Sequence, residues 1–191
     1  MTRTTAPVIL GGRLRGLRLV VPPGLDTRPT RAAVREAVFG MLGEALEGAR
    51  VLDLYAGSGA FGLEALSRGA AHVTFVEQAP RALAALRANL AASHAEPGEF
   101  SLLAADCQRF VPPEGQSWDL VLADPPYALR DPLPAAVCGP PALAAHGRLL
   151  VECSSARIAP VALHALRLLR QRTHGAAMLA LYALEETSGK G

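Results

Sequence analysis

Cysteine is scarce in this chain of 191 residues, and long apolar runs are missing. The three cysteines, Cys107, Cys138 and Cys153, are odd in number and lack the spacing of a disulfide framework or a cysteine-ligated zinc site. No run of eighteen uncharged apolar residues occurs, so we expect no membrane span. The N-terminal residues lack the apolar core of a secretory signal, and the five histidines show no metal-ligand spacing. We therefore expect a cytoplasmic protein without a bound metal.

Charged residues are also few, at 19%, whereas half of the residues are apolar. This balance is typical of globular proteins and excludes a disordered chain. A chain of this length can bury a core without disulfides or metals, and it suits one domain with or without a small extension. We expect it to be a monomer.

Lysine is almost absent, because eighteen of the nineteen basic residues are arginine. The first 35 residues carry seven arginines and one acid, a net charge of +6, whereas the remainder carries −4. A coding bias explains arginine in place of lysine but not the clustering. A basic segment on a near-neutral body is typical of proteins that bind phosphates, and a solvated surface is the alternative. The predicted contacts to nucleic acid are Arg13, Arg15, Arg18, Arg28, Arg31 and Arg35, although Arg35 could instead pair with an acid.

The N-terminal residues predict a hairpin followed by a helix. Two short apolar runs flank a glycine-rich basic turn at residues 7–24, which is typical of a hairpin. Apolar residues at helical spacing follow Thr30, a predicted N-cap, and Gly48 is predicted to end this helix. We therefore expect residues 1–48 to form a basic, RNA-binding extension and residues 49–191 to form the main domain.

The main domain alternates between strand-like and helical segments, which favours a mostly parallel sheet covered on both faces. We predict an α/β, doubly wound, seven-stranded mixed sheet whose last two strands form an antiparallel hairpin at one edge. The predicted strands are Arg50–Leu54, His72–Glu77, Phe100–Leu103, Asp119–Ala123, Arg148–Glu152, Ala165–Arg170 and Ala176–Leu184. The predicted helices are Ala60–Arg68, Pro80–Ala92 and Leu133–Ala145.

A glycine turn follows the first strand of this domain. Gly57, Gly59 and Gly62 match the G-x-G-x-x-G pattern, and Glu77 ends the next strand twenty residues after Gly57. Alone, the pattern is typical of a dinucleotide site, in which the carboxylate binds ribose hydroxyls. Asp53 argues against that ligand, because its negative charge would repel a pyrophosphate. A cationic ligand is favoured, and S-adenosylmethionine, with a sulfonium and no phosphate, fits this requirement.

The third strand also ends at an acid, Asp106. At this edge of the sheet, Asp106 could accept a hydrogen bond from the adenine amine, and Cys107 could offer its backbone N–H. Asp106 could equally cap a short helix, and both roles are compatible. The predicted cofactor-binding residues are Asp53, Tyr55, Gly57, Gly59, Glu77, Gln78, Asp106 and Cys107.

The most specific motif follows the fourth strand: Asp124, Pro125, Pro126 and Tyr127. The two prolines fix the backbone and remove two N–H donors, which leaves a cluster of acceptors beside an aromatic ring. An exocyclic base amine is a poor nucleophile, and acceptors that hold its hydrogens can direct its lone pair toward a methyl donor. Tyr127 offers a face on which the base can stack. We predict these four residues to be the catalytic residues.

Together, these motifs resemble the class I S-adenosylmethionine-dependent amino-methyltransferases and, more narrowly, the RsmD family. The narrower resemblance covers nearly the whole chain and rests on Gly11–Gly16, Arg28–Thr30, Val34–Phe39 and Leu52–Arg68. The family pattern usually has Asp-Arg where this chain has Ala32-Ala33, and Phe and Leu where it has Tyr55 and Phe61. The first departure affects RNA contacts or the packing of the basic segment.

The resemblance implies a Rossmann-like methyltransferase that methylates the N2 amine of a guanine in 16S ribosomal RNA. The implied partner is that RNA or the assembling small ribosomal subunit, and a stacked target base must be turned out of its helix. The motif residues alone leave adenine N6 and cytosine N4 open as targets, in RNA or DNA. A non-enzymatic RNA-binding assembly factor and an NAD-dependent oxidoreductase are the alternatives from other classes.

Overall fold

The computed structural model describes residues 6–22, 29–129, 133–156 and 159–185. Within these residues, eight strands form one mixed sheet and three α-helices pack against it. The strands are β1 (Arg50–Leu54), β2 (His72–Glu77), β3 (Phe100–Ala104), β4 (Trp118–Ala123), β5 (Leu143–Ser154), β6 (Ala162–Leu163), β7 (Leu166–His174) and β8 (Ala177–Leu184). The helices are α1 (Pro29–Leu42), α2 (Ala60–Ser67) and α3 (Pro80–Ser93).

The strand order is β3-β2-β1-β4-β5-β8-β7-β6. Strands β1 to β5 are parallel, and β8, β7 and β6 continue the sheet in antiparallel pairs. The chain runs from β1 outward to one edge and then from β4 toward the other, which confirms the predicted doubly wound α/β sheet. The sheet has one strand more than expected, because the two-residue β6 pairs with β7 and is too short for a sequence pattern.

The segment between β4 and β5 differs most from the sequence prediction. The helix predicted over Leu133–Ala145 is wrong: a 3₁₀-helix at Ala135–Val137 precedes β5, which begins at Leu143. Alanines favour a helix here, but Pro134, Pro140 and Pro141 lack N–H donors and disfavour helical backbone in the residue before each of them. Prolines therefore override the alanine-rich composition.

The N-terminal hairpin is present as one antiparallel bridge between Val8 and Arg18, without regular strands. Helix α1 begins at Pro29, one residue before the predicted N-cap Thr30. It ends at Leu42, and a 3₁₀ turn over Gly43–Leu46 replaces the predicted last helical turn. The division of the chain at residue 48 stays a prediction.

Two apolar clusters cover the two faces of the sheet. The three helices and the N-terminal residues pack on one face, where the largest fully buried side chains are Ile9, Leu19, Leu46, Leu63, Leu66, Phe75, Leu86 and Leu122. The other face is covered largely by 3₁₀ turns and loops, around Trp118 and Leu143. None of the described helices combines the length and apolar character that a bilayer span requires.

Candidate methyl-transfer site

The two principal motifs follow neighbouring strands at the point where the sheet changes direction. Leu54 of β1 lies opposite Ala123 of β4, so the glycine turn and the Asp124–Tyr127 loop leave the sheet side by side. Ligands of open α/β sheets bind at the carboxyl ends of the strands at such a point. The structure therefore brings the predicted cofactor turn and the predicted catalytic loop to one crevice.

The glycine turn is shaped by close packing on one side and is open on the other. A Cβ at Gly59 would collide with Leu86, and a Cβ at Gly62 would collide with Phe75 and approach Asp53. Gly57 has a φ of 56°, and a Cβ there would have no neighbour closer than 3.8 Å. Gly59 and Gly62 thus allow the helix to approach the sheet, while Gly57 leaves room beside the backbone.

Glu77 binds the backbone of the glycine turn from the neighbouring strand. Its Oε2 accepts the N–H of Gly57 at 2.9 Å, and its Oε1 accepts the N–H groups of Gln78 at 2.8 Å and Ala79 at 2.7 Å. A dinucleotide pyrophosphate needs free N–H donors at this turn. In this arrangement a carboxylate of the protein takes up the Gly57 donor, so a ligand at the turn either displaces this bond or binds Glu77 itself.

Asp53 lies beneath the same turn, 2% exposed, and its Oδ2 accepts the N–H of Gly62 at 2.9 Å. Burial raises the pKa of Asp53 to about 8; the Gly62 bond opposes this shift, and the charges of Asp124 and Glu77 add to it. The sequence predicts a negative charge at Asp53, whereas burial favours its protonated form near neutral pH. A nearby cation would favour the ionised form, so Asp53 still suits a cationic ligand.

Asp53 is expected to make folding stability fall as pH rises from about 4 to about 8. In this range the unfolded chain, with an aspartate pKa near 3.9, has released a proton that the folded chain retains. Each unit of pKa difference corresponds to about 1.4 kcal/mol, and the contribution is constant above pH 8. Asp53→Asn keeps an acceptor for Gly62 and removes the titration, so urea unfolding of both proteins across this range isolates the effect.

The matched control for that measurement is Glu114→Gln, since Glu114 is exposed in the loop before β4. Its stability profile should run parallel to that of the unmodified protein. A constant difference between Asp53→Asn and the unmodified protein from pH 4 to pH 8 would contradict the assigned pKa.

Cys107 and Asp106 support the turn from the end of β3. The Sγ of Cys107 accepts the N–H of Tyr55 at 3.1 Å and donates to the carbonyl of Val76 at 3.4 Å. Burial raises the pKa of the Cys107 thiol to about 12, so the thiol is neutral and holds the turn in place. Asp106 caps the 3₁₀-helix that follows, because its Oδ1 accepts the N–H of Gln108 at 3.0 Å. The capping role is confirmed, and the adenine contact stays a prediction.

The residues of the Asp124–Tyr127 loop differ in their exposure to solvent. Asp124 is half-buried, Pro125 is buried, Pro126 is exposed, and the Tyr127 side chain is 45% exposed. The Tyr127 hydroxyl donates to Oε1 of Glu152 at 3.1 Å, which anchors the ring at its tip and leaves a face accessible. The loop thus combines a carboxylate with an aromatic surface, as a flat amine-bearing substrate requires.

The N-terminal arm, residues 6–22, is held by α2. Glu64 is fully buried and accepts the N–H groups of Leu10 at 2.7 Å and Gly11 at 2.9 Å. Ser67 accepts the N–H of Leu14 at 2.8 Å through its Oγ and donates its hydroxyl to the Gly11 carbonyl. A Cβ at Gly12 would collide with the Ser67 backbone, so only glycine allows this approach. The first half of the arm is therefore part of the fold and not a loose tail.

The far end of the arm reaches the glycine turn through Asn89 of α3. The Asn89 amide accepts the N–H of Val20 and donates to the carbonyl of Val20, each at 2.8 Å, and donates to the carbonyl of Ser58 at 2.9 Å. Ser58 lies between the two glycines of the turn. The arm therefore crosses the helical face and ends beside the predicted cofactor site.

The predicted basic contacts differ in their surroundings. Arg15 and Arg18 are exposed, and Arg13 is exposed and pairs with Glu99 at 2.6 Å. Arg35 is 3% exposed, donates to the Val8 carbonyl at 3.0 Å and lies 3.9 Å from Glu64, so its predicted RNA contact is wrong. Burial lowers the pKa of Arg35, and the charge of Glu64 opposes that shift. Arg28 and the side chain of Arg31 lie outside the described residues.

Sequence reasoning missed three residues of this region: Glu64, Asn89 and Glu152. Their partners are distant in the chain, so no local pattern identifies them. A weak signal existed for Glu64, the single acid in the otherwise apolar run of α2. Within the part of the chain that the structure describes, no group of three side chains is arranged to hold a metal ion.

A family model described as Conserved hypothetical protein 95 matches residues 8–183. The chain belongs to this family, the RsmD family of methyltransferases. The match takes in the arm, the glycine turn and the Asp124–Tyr127 loop, so each part of the region described above lies inside it.

Individual relatives agree with this membership. The RsmD-family chain is 40% identical over 119 residues to Ribosomal RNA small subunit methyltransferase D of Escherichia coli K12, which covers 62% of this chain and 59% of that protein. It is also 43% identical over 82 residues to YlbH of Bacillus subtilis. That alignment covers 43% of this chain and 45% of the Bacillus protein. The chain thus matches about three fifths or less of the length of these curated relatives.

A solved structure extends the likeness to the whole fold. The structure of yhhF from Escherichia coli superposes with a TM-score of 0.82 at 34% identity, and the match covers 94% of this RsmD-family chain and 98% of that chain. The likeness confirms the Rossmann-like class I methyltransferase architecture.

Proposed function

We propose that this protein transfers a methyl group from S-adenosylmethionine to the exocyclic N2 amine of a guanine in 16S ribosomal RNA. One observation carries the proposal: the glycine turn after β1 and the Asp124–Tyr127 loop after β4 meet at the switch point of the sheet. A cofactor turn and an amine-binding loop then share one crevice, as a direct transfer between two bound molecules requires.

The residues of the turn suit a cationic cofactor with a ribose. The charges of Asp124 and Glu77 both act on Asp53, and this concentration of acids favours a positive ligand. The open space beside Gly57 lets a ligand approach the backbone, and the Glu77 carboxylate can exchange a backbone donor for a ribose hydroxyl. When bound, S-adenosylmethionine would supply an electrophilic methyl group on its sulfonium; the sulfur–methyl bond would break as the nitrogen–methyl bond forms, and its electron pair would leave on the neutral thioether S-adenosylhomocysteine.

The Asp124–Tyr127 loop orients the amine. Tyr127 supports the face of the base, and the Asp124 carboxylate accepts hydrogen bonds from the amine hydrogens. Holding these hydrogens turns the nitrogen lone pair away from the base ring and toward the methyl donor. Once the new N–C bond has formed, the nitrogen carries an extra proton, and Asp124 is placed to receive it. No covalent enzyme intermediate is needed.

The arm supplies the electrostatic surface for RNA. Arg15 and Arg18 are exposed on the arm, and Arg13 is exposed and pairs with Glu99. The end of the arm lies against the glycine turn. Phosphates bound along the arm would bring the RNA toward the crevice. The Escherichia coli relative is named for the RNA of the small ribosomal subunit, which supports 16S rRNA as the substrate and the cytoplasm as the location.

A methyl-transfer assay tests the proposal. Small ribosomal subunits from cells that lack this enzyme are incubated with the protein and S-adenosylmethionine labelled in the methyl group. Mass spectrometry of the RNA nucleosides should then show one new N2-methylguanosine at a single position. Label on adenine N6 or cytosine N4 would assign another base, and absence of label from every RNA would reject the activity.

Replacing Arg13, Arg15 and Arg18 together by alanine is expected to weaken RNA binding at least tenfold. The loss follows from phosphate contacts, so the slope of log affinity against log salt concentration should decrease by about 0.7 to 0.9 per contact removed. Filter binding over a series of salt concentrations measures both quantities. Calorimetry should give an unchanged affinity for S-adenosylmethionine.

The control for the arm is Arg172→Ala, because Arg172 is exposed on β7, whereas Arg13 pairs with Glu99 beside β3 on the opposite side of the sheet. It should retain the original salt slope. Unchanged RNA affinity in the triple variant would remove the arm from the proposed function.

A further inference from the structure

Glu152 is an acid that the proposed transfer does not use, although it lies beside the catalytic loop. It sits near the end of β5, where Val151 lies opposite Ala123 of β4. The next residues along these two strands are Glu152 and Asp124, and neighbouring strands are about 4.8 Å apart. The backbone positions of Asp124 and Glu152 therefore follow paired residues at the same edge of the sheet.

Glu152 is a buried acid of this edge, as Asp53 is. It is 6% exposed, and its Oε1 accepts the hydroxyl of Tyr127, whose ring is the proposed stacking surface. A carboxylate has about four acceptor positions and can accept several hydrogen bonds at the same time. A base stacked on Tyr127 would present its edge to the carboxyl group at the tip of that ring.

The edges of the three candidate bases differ at the atom beside the amine. In guanine, the N2 amine neighbours N1–H, which is a donor. In adenine and cytosine, the amine neighbours a ring nitrogen with a lone pair, which is an acceptor. A carboxylate at this place would bind the guanine edge and repel the other two, and repulsion between buried acceptors is costly because no water relieves it.

We infer that Glu152 makes the site selective for guanine, by accepting the N1–H of the base whose N2 amine lies against Asp124. The inference rests on the proposed function and deepens it, since the glycine turn and the Asp124 loop by themselves do not distinguish the three amines. Tyr127 then has two roles: its ring supports the base and its hydroxyl fixes the carboxylate.

2-Aminopurine provides the test, because it keeps the N2 amine of guanine and has a lone pair in place of N1–H. Small subunits are reconstituted with RNA that carries either guanine or 2-aminopurine at the nucleotide mapped in the transfer assay. The unmodified enzyme should favour guanine at least 100-fold in kcat/KM. Near-equal rates on the two bases would overturn the inference even if no variant folds.

Glu152→Gln should reduce this preference at least tenfold, because the amide can donate its N–H to the lone pair of 2-aminopurine. Tyr127→Phe keeps the carboxylate, so it should lower kcat/KM on both bases while retaining most of the preference. The control Glu114→Gln changes an exposed acid and should keep both the rate and the preference. Calorimetry with S-adenosylmethionine establishes that each variant is folded.

The outcomes separate the two proposals. If the unmodified enzyme does not methylate guanine, the proposed function fails and this inference fails with it. If the enzyme methylates guanine but Glu152→Gln keeps the full preference, only the role of Glu152 is rejected. If Glu152→Gln loses preference only because its rate on guanine falls, with no gain on 2-aminopurine, Glu152 acts by positioning Tyr127 and direct recognition is rejected.

Discussion

Asp124→Ala is expected to reduce methyl transfer by about 10³-fold while leaving the affinity for S-adenosylmethionine within about threefold. Asp124 is the half-buried carboxylate that holds the amine hydrogens, and such fixed electrostatic partners typically contribute factors of about 10² to 10³. Single-turnover assays with the small subunit measure the transfer step, and calorimetry measures cofactor affinity.

Asp124→Asn gives a graded comparison, because its amide oxygen still accepts one hydrogen bond but the charge is lost. Its transfer rate should lie between those of the alanine variant and the unmodified enzyme. The control Glu114→Ala removes an exposed acid from the loop before β4 and should transfer normally. Loss of cofactor binding in Asp124→Ala would contradict its assignment to the amine.

Glu64→Ala is expected to destabilise the protein by about 3–5 kcal/mol. Glu64 is fully buried, accepts two backbone N–H groups of the arm and binds Arg68 at 2.7 Å. Removing one partner of a buried charged network leaves the others without compensation, here the buried Arg35 in particular. Urea unfolding followed by circular dichroism measures the loss.

Glu36→Ala is the matched control, since Glu36 is exposed on α1 and its removal should change stability by at most about 0.5 kcal/mol. Glu64→Gln keeps one acceptor oxygen and should lie between the two. A loss below 1 kcal/mol in Glu64→Ala would show that the arm is held by other contacts.

The parts of the fold that the sequence predicted well are those set by local pattern. Buried apolar runs such as Val51–Leu54 and Trp118–Ala123 define strands by themselves. The glycines of the turn indicate directly where the backbone needs a positive φ or a close neighbour. Because the motifs follow these strands, their meeting at one edge could be predicted from the order of the elements alone.

The errors arose where two local signals conflicted or where the deciding contact was distant. Alanines favoured a helix before β5, and prolines prevented it. Arg35 belongs to a cluster of arginines by sequence, but the helix buries it against Val8, 27 residues earlier. The hydrogen bond between Tyr127 and Glu152 spans 25 residues, and no periodicity in the chain encodes it.

The Asn89 amide joins two segments that the proposed function assigns to different ligands, since it bonds both Val20 of the arm and Ser58 of the cofactor turn. A ligand that favours this arrangement at one segment lowers the free energy of the same arrangement at the other. By thermodynamic reciprocity, nucleic acid and methyl donor would then strengthen each other's affinity by equal factors. The Asn89 side chain is thus a contact through which the two ligands could bind cooperatively.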